Sequence, residues 1–278
     1  MSKDVAVPTT SAPPVTEFAV SKDGTRIAFE RIGSGPVLVL VDGALCYRDF
    51  GPARPLAAEL ADTFTAVTYD RRGRGESGNT ATVTPELEFD DLAAVMDAVA
   101  GQYVLGQSSG AALAYRATAA GLIAPRKLAG YEAPWVGLRR NRDGSTRDYQ
   151  AELAALLANG DNGGAVGYFM VKMVKGPWFL PLMMRMMGKV WSQLKSVAPT
   201  LMNDARAMGD QFTVPTDELK KISVPTLVMV GSKAPADMAA AQQAVADTIP
   251  GAQHRVVAGQ THQVSPKALR PELIGFFA

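Results

Sequence analysis

Cysteine and histidine are scarce in this 278-residue sequence, which contains one cysteine, Cys46, and two histidines. A single cysteine excludes an internal disulfide bond. The sequence also lacks a cysteine and histidine cluster of the kind that holds zinc, so no metal and no cofactor are predicted. The lack of disulfides is compatible with a reducing compartment, and we expect a cytoplasmic location.

An excess of charge of one sign is absent, because 28 Lys and Arg residues balance 27 Asp and Glu residues to a formal net charge of +1. Such a balance provides no broad positive field for nucleic acid or for an anionic membrane surface. We therefore expect no nucleic-acid partner.

Long apolar runs are also missing. No segment approaches the roughly 20 apolar residues that a membrane-spanning helix needs. The closest segment, residues 178–187, is short and contains Pro181 and Arg185. Residues 1–15 lack the continuous apolar stretch of a signal peptide, and we expect a flexible tail there.

Strand and helix patterns alternate from residue 16 to residue 133 and again after residue 215. A hairpin is predicted around Asp23-Gly24, with buried strands at 37–41 and 225–230 and further strands at 64–69, 102–105, 127–131 and 254–257. Helices are predicted at 55–61, 85–99, 109–121, 239–249 and 266–277. This alternation predicts an α/β fold with a mostly parallel central sheet and helices on both faces.

Strand signals disappear between residues 134 and 215, where helices are predicted at 148–157 and 189–197. The simplest organisation is a core built from residues 16–133 and 216–278, with residues 134–215 forming an inserted helical cap.

The segment Gly106-Gln107-Ser108-Ser109-Gly110 lies between a predicted strand and an Ala-rich predicted helix. A G-x-S-x-G pattern in this setting predicts a sharp turn that presents Ser108 as a nucleophile. The backbone N–H of Ser109 is then a donor of an oxyanion hole. The alternative is an ordinary strand–helix turn with serine as the N-cap.

Three further motifs accompany this turn: residues 70–78 (DRRGRGESG), 225–231 (PTLVMVG) and 259–262 (GQTH). From Thr16 to Phe277 the chain resembles the α/β-hydrolase fold superfamily, with its D-x-R-G-x-G-x-S loop, seventh strand and histidine loop in that order. The resemblance implies a serine hydrolase of the esterase type. From its glycines and charges, the 70–78 loop is expected to be exposed and tightly turned.

His262 is the predicted general base, because it lies on a loop between the last strand and the last helix, at the carboxyl edge of the sheet. The other histidine, His254, falls within a predicted strand and is expected to be a partly exposed surface residue.

The acid of the triad has two candidates, because the position that the resemblance indicates holds Ala234. Glu132 ends the predicted strand 127–131, and Asp237 lies three residues beyond Ala234. Both lie between Ser108 and His262, so chain order does not choose. Glu132 is favoured because a carboxylate at the carboxyl end of a strand points at the site. Its alternative role is a salt bridge to an arginine of the 70–78 loop, and that of Asp237 is to cap the next helix.

Asp42-Gly43-Ala44-Leu45 follows the predicted strand 37–41, where members of the superfamily commonly have His-Gly. Gly43 keeps the tight turn, and the N–H of Ala44 is the predicted second oxyanion donor. Asp42 is expected to hydrogen-bond within its loop, and Cys46 to be a small apolar filler.

Eight of the twelve methionines lie between Met170 and Met208. They suit both packing of the cap against the core and an adaptable apolar wall over the site, for which Met183, Met187 and Trp178 are the candidate residues. We therefore expect a hydrophobic acyl or alcohol portion in the substrate.

Together these features predict a cofactor-independent serine hydrolase that cleaves a small-molecule ester or lactone through an acyl-enzyme on Ser108. A carbon–carbon bond hydrolase, a perhydrolase or a non-catalytic ligand-binding member of the same fold are the alternatives. The sequence leaves the natural substrate and the oligomeric state open.

Overall fold

The computed structural model describes residues 15–80, 84–137, 147–209 and 211–278, so nearly all of the predicted tail, residues 1–15, lies outside the described residues. The described residues form an eight-stranded sheet with the order β1-β2-β4-β3-β5-β6-β7-β8. Its strands are β1 (Glu17–Val20), β2 (Arg26–Gly33), β3 (Val37–Val41), β4 (Thr65–Tyr69), β5 (Tyr103–Gln107), β6 (Lys127–Tyr131), β7 (Thr226–Gly231) and β8 (Gln253–Val257).

Strand direction follows the predicted pattern. The hairpin β1–β2 is antiparallel and turns at Asp23-Gly24, where Gly24 adopts a φ of 85°. Strand β2 is also antiparallel to β4, and the strands from β4 to β8 in the sheet order pair in parallel. The apolar runs of β3 and β7 are buried because helices cover both faces of the sheet.

The helices are α1 (Ala53–Leu60), α2 (Pro85–Val99), α3 (Ser109–Ala119), α4 (Tyr149–Ala158), α5 (Asn162–Tyr168), α6 (Leu180–Met186), α7 (Gly188–Val197), α8 (Leu201–Met208), α9 (Thr216–Leu219), α10 (Ala236–Thr248) and α11 (Pro266–Phe277). Helices α2 and α11 have the predicted bounds, and each begins with a proline, whose fixed φ suits the first helical turn. Across the described ranges, no helix is both long and apolar enough to cross a membrane.

The hydrophobic core lies on both faces of the sheet. Apolar residues of α1 and α11 form one cluster with one side of the strands, and those of α2, α3 and α10 form the other cluster with the opposite side. The second cluster continues into the helices between β6 and β7, because Leu153, Leu194 and Leu201 are buried in it. The predicted α/β fold with a mostly parallel sheet is therefore confirmed, whereas the division into a core and a cap stays a prediction.

The predicted exposure of residues 70–78 is wrong for the arginines of the loop, although Gly75 and Glu76 are exposed. Arg71, Arg72 and Arg74 are at most 1% exposed. Each guanidinium group pairs with at least one carboxylate. Arg71 pairs with Glu88 and Asp204, Arg74 with Asp204, and Arg72 with Asp23 and Asp91. Removing one partner of a buried ion pair costs about 3–5 kcal/mol, so these contacts fasten the loop to its surroundings.

Candidate active site

Ser108 lies between β5 and α3 on a strained turn, with φ 55° and ψ −128°. The flanking glycines are needed because a Cβ on Gly106 would lie 2.4 Å from the carbonyl oxygen of Gly110, and one on Gly110 would lie 2.2 Å from that of Val41. Ser108 occupies the N-cap position of α3, but its side chain makes no capping hydrogen bond there. Backbone strain of this kind is concentrated at functional sites.

His262 lies on the loop between β8 and α11, and its Nε2 is 3.1 Å from Oγ of Ser108. The preceding residue anchors this loop to the sheet, because the hydroxyl of Tyr131 donates to the carbonyl oxygen of Thr261 at 2.5 Å. The imidazole is 47% exposed, so a small molecule can reach the serine and histidine pair from solvent.

Glu132 directly follows β6 and is fully buried, with a φ of 48°. Its Oε2 lies 2.7 Å from Nδ1 of His262, and its Oε1 accepts a hydrogen bond of 2.9 Å from the backbone N–H of Gly231. Both carboxylate oxygens are therefore held. The Arg71–Arg74 guanidiniums pair with other carboxylates, so the alternative of a salt bridge to Glu132 is wrong.

Asp237, the other candidate acid, forms an ion pair of 2.9 Å with Lys175. A hydrogen bond from Lys175 lowers the pKa of the Asp237 carboxyl. Helix α10 begins at Ala236, so Asp237 lies inside its first turn and not at the cap, and its Oδ1 accepts from the N–H of Met238. The structure does not bring Asp237 into contact with His262.

The predicted oxyanion donors lie beside Ser108. A Cβ on Gly43 would lie 2.9 Å from Cβ of Ser108, so the backbone of Gly43 and Ala44 approaches the nucleophile closely. Ser109 begins α3, where helix N–H groups lack partners inside the helix and favour negative charge. This arrangement suits an oxyanion that forms next to Ser108 Oγ.

Asp42 and Cys46 belong to the same loop, between β3 and α1. Burial raises the pKa of Asp42 to about 7, although Arg74 and Arg71 oppose this shift and the N–H of Ala53 donates to the carboxyl. Among the described residues, Oδ1 of Asp42 has no hydrogen-bond partner. Burial also raises the pKa of the Cys46 thiol to about 12, which makes this thiol a poor nucleophile.

Asp204 is a residue of this region that the sequence patterns missed. It lies on α8, is fully buried, and accepts a 2.7 Å hydrogen bond from Oγ of Ser109. The one signal in the sequence is that Asp204 is the only acidic residue between positions 162 and 209. Among the described residues, no group of three or more His, Cys, Asp or Glu side chains is arranged to hold a metal ion.

Met183, Met187 and Trp178 are exposed, at 51%, 55% and 78%. Their segment is anchored at both ends to loops on the carboxyl side of the sheet. Before it, Lys175 Nζ donates to the carbonyl oxygen of Val136, and after it, Gln193 Nε2 donates to the hydroxyl of Tyr47. A role of the three side chains in binding substrate stays a prediction.

Comparison with known proteins is consistent with this geometry. The sequence profile of the Alpha/beta hydrolase family matches residues 33–269. An alpha/beta hydrolase from Sphaerobacter thermophilus DSM 20745 is similar in structure, with 44% identity, a TM-score of 0.86, and coverage of 94% of this chain and 100% of that chain. An esterase from Exiguobacterium antarcticum shares the fold at 20% identity and a TM-score of 0.64, over 94% of this chain and 96% of the esterase.

A curated relative, the uncharacterized hydrolase YraK of Bacillus subtilis (strain 168), is 34% identical over 95 residues. That match covers 32% of this chain and 34% of the relative, so it spans only about a third of either protein.

Proposed function

The chain belongs to the alpha/beta hydrolase family, and we propose that it is a cofactor-independent serine hydrolase that cleaves a carboxylic ester or lactone with an apolar portion. The observation that carries the proposal is the continuous contact from Ser108 Oγ to His262 Nε2 and from His262 Nδ1 to Glu132, at 3.1 and 2.7 Å. A hydroxyl, an imidazole and a carboxylate in this order are the three groups of a serine hydrolase triad.

In the first half of the reaction, Oγ of Ser108 attacks the ester carbonyl carbon and its proton moves to Nε2 of His262. Glu132 holds the Nδ1–H and stabilises the imidazolium that forms. The N–H groups of Ala44 and Ser109 receive the negative oxygen of the tetrahedral intermediate. The C–O bond to the alcohol then breaks, and the leaving oxygen takes the proton from His262.

In the second half, His262 removes a proton from water, and the resulting hydroxide attacks the acyl carbon on Ser108. The bond between the acyl group and Oγ breaks, Oγ recovers a proton from His262, and the carboxylic acid leaves. For a lactone, the alcohol and the acid belong to one product molecule. No cofactor takes part in either half.

The apolar portion of the substrate is assigned to the segment that carries Met183, Met187 and Trp178. Its anchors Lys175 and Gln193 contact Val136 and Tyr47, which lie in the loops after β6 and β3, the two strands that pair with β5 next to Ser108. Unbranched methionine side chains adjust to ligands of different shape. An acyl or alcohol chain that extends from Ser108 towards this segment would meet an apolar surface.

The test is labelling with a fluorophosphonate and hydrolysis of p-nitrophenyl butyrate by the wild type, Ser108→Ala and Ser196→Ala. Ser196 is an exposed serine whose hydroxyl donates to the carbonyl oxygen of Gln193 in its own helix. We expect the wild type and Ser196→Ala to be labelled and active, and Ser108→Ala to be neither. Labelling that persists in Ser108→Ala contradicts the proposal, and a wild type that is never acylated points to a ligand-binding protein.

A further inference from the structure

Asp204 connects the helices between β6 and β7 with the loops around Ser108. Its Oδ1 lies 2.6 Å from Nη1 of Arg71, and its Oδ2 lies 2.6 Å from Nη2 of Arg74. Glu88 occupies the other edge of the Arg71 guanidinium, at 2.9 and 2.6 Å. The negative charges of two carboxylates thus balance the positive charges of two guanidiniums. Each of these four side chains is at most 2% exposed.

Asp204 remains ionised in this setting. Burial by itself raises the pKa of its carboxyl, but the positive charges of Arg71 and Arg74 and the hydrogen bond from Ser109 hold that pKa below its ordinary value. The carboxylate is therefore a fixed negative acceptor that orients both guanidiniums.

Arg74 links Asp204 to the loop that contains Ala44, the first proposed oxyanion donor. Its Nη1 donates to the carbonyl oxygen of Gly43 at 2.8 Å and to that of Cys46 at 3.1 Å, and its Nε donates to Oγ1 of Thr200. In a trans peptide the C=O and the following N–H point in opposite directions. Because the Gly43 carbonyl points at Arg74, the N–H of Ala44 is turned away from Arg74.

Ser109, the second proposed oxyanion donor, contacts Asp204 directly. Its hydroxyl donates to Oδ1 of Asp204 at 2.7 Å and lies 3.2 Å from Nη1 of Arg71. Arg71 Nη1 is also 3.3 Å from the carbonyl oxygen of Asp42, at the start of the loop after β3. One carboxylate therefore contacts, directly or through an arginine, the two segments that carry the proposed oxyanion donors, the N–H groups of Ala44 and Ser109.

We propose that Asp204 is a positioning residue that sets the two backbone donors of the oxyanion hole, through Arg74 for Ala44 and through its hydrogen bond with Ser109. The inference rests on the proposed function, because it assigns these donors to an acyl-transfer reaction. Asp204 is on α8, so the helical segment between β6 and β7 supplies part of the catalytic framework.

A matched control lies in the same loop. Arg72 is as buried as Arg71 and Arg74, and it forms equivalent ion pairs with Asp91, at 2.8 and 2.5 Å. Its other partners are Ser21, Asp23, Thr25 and Thr80, none of which belongs to the loop after β3 or to the turn at Ser108. Asp91→Asn therefore removes a buried carboxylate that pairs with an arginine of the same loop, without touching the donors.

The experiment compares Asp204→Asn and Asp91→Asn with the wild type on p-nitrophenyl butyrate, below the melting temperature of each variant. We expect kcat to fall about 10- to 100-fold in Asp204→Asn, less than the 10²–10³-fold cost of removing a donor outright, with KM nearly unchanged. Affinity for phenylboronic acid, whose serine adduct carries a tetrahedral negative oxygen, should fall in proportion. Asp91→Asn should lose thermal stability and keep kcat within about twofold of the wild type.

Arg74→Lys serves if Asp204→Asn does not fold, because it keeps a positive charge near Asp204 and loses the fork that holds the Gly43 and Cys46 carbonyls. The same fall in kcat and in boronate affinity is expected. An unchanged kcat in a folded Asp204→Asn or Arg74→Lys variant overturns the inference alone, as does an equal loss in Asp91→Asn. A wild type without esterase activity and labelling overturns the proposed function, and this inference with it.

Discussion

Oε2 of Glu132 lies 2.7 Å from Nδ1 of His262, which is 130 residues further along the chain. The carboxylate reaches the imidazole from the end of β6, and its other oxygen accepts the N–H of Gly231 at the end of β7. The end of β7 thus contributes a backbone donor that holds the carboxylate of Glu132, the proposed acid. This contact accounts for Ala234 at a position where the resemblance led us to expect a carboxylate.

Substituting each of the two candidate acids separately by its amide distinguishes their roles. In Glu132→Gln the amide cannot stabilise the imidazolium as a carboxylate does, so we expect kcat/KM for p-nitrophenyl butyrate to fall by about 10⁴, as for the equivalent change in other triads. Asp237→Asn removes a partner of Lys175 only and should remain within a few-fold of the wild type. Steady-state kinetics of both variants, with thermal unfolding as the folding check, decide the matter.

The reverse ranking, with Asp237→Asn inactive and Glu132→Gln active, would transfer the acid role to Asp237. It would then require a loop movement that breaks the Lys175–Asp237 ion pair.

Gly43→Ala tests the space beside the nucleophile. A Cβ at this position would lie 2.9 Å from Cβ of Ser108 and 3.2 Å from the carbonyl oxygen of Gln107. The loop must shift, and a shift of about 1 Å in a catalytic group costs on the order of 10² in rate. We expect a loss of that size in kcat with the fold retained. Gly188→Ala is the control, because its Cβ would have no neighbour within 4 Å.

Wild-type kcat in Gly43→Ala would show that the N–H of Ala44 does not need its present position, and the oxyanion hole would have to be sought elsewhere. A comparable loss in Gly188→Ala would trace the effect to general destabilisation.

The sequence was sufficient for the parts of the site that depend on local structure. Ser108 follows from a strand–turn–helix pattern, and His262 from a loop at the carboxyl edge of the sheet. Glu132 and Asp237 remained alternatives because chain order is the same for both. Their difference arises from long-range contacts. The pairing of β6 with β7 places Gly231 against Glu132, whereas Asp237 pairs with Lys175 of the segment between these two strands.

The arginines of the 70–78 loop show where a local pattern fails. Charged residues among glycines are typical of exposed loops. Glu88, 17 residues further along the chain, pairs with Arg71, but no pattern in the sequence marks it as a partner. The partner of both Arg71 and Arg74 is Asp204, about 130 residues away, on a helix whose docking depends on the whole fold. Burial of a charge depends on such distant counter-charges, which composition and periodicity do not register.

The raised pKa of the Asp42 carboxyl predicts how the free energy of unfolding changes with pH. Its pKa is about 7 in the fold and 3.8 ordinarily, so between these values the folded protein keeps a proton that the unfolded chain loses. The free energy of unfolding therefore falls as pH rises through this range, by up to about 1.4 kcal/mol per pH unit. Asp42→Asn lacks this contribution, so urea denaturation from pH 4.5 to 7.5 should show the variant gaining on the wild type.

The control for this prediction is Asp217→Asn, since the Asp217 side chain is 96% exposed and should leave the pH dependence unchanged. Parallel stability curves for the wild type and Asp42→Asn would mean that Asp42 ionises in the folded protein as it does in the unfolded chain.

Trp178 and Met187 test whether the exposed apolar segment binds the substrate chain. If an acyl chain lies against them, the gain grows with chain length, by about 0.8 kcal/mol for each CH₂ fully removed from water. Trp178→Ser and Met187→Ser should then raise KM for p-nitrophenyl decanoate several-fold and leave p-nitrophenyl acetate unchanged. Leu122→Ser, at a side chain that is 40% exposed outside this segment, should change neither value. Equal effects on both esters would mean that the acyl chain binds elsewhere. Only a contact with carbons beyond the first few of the acyl chain affects the decanoate and not the acetate.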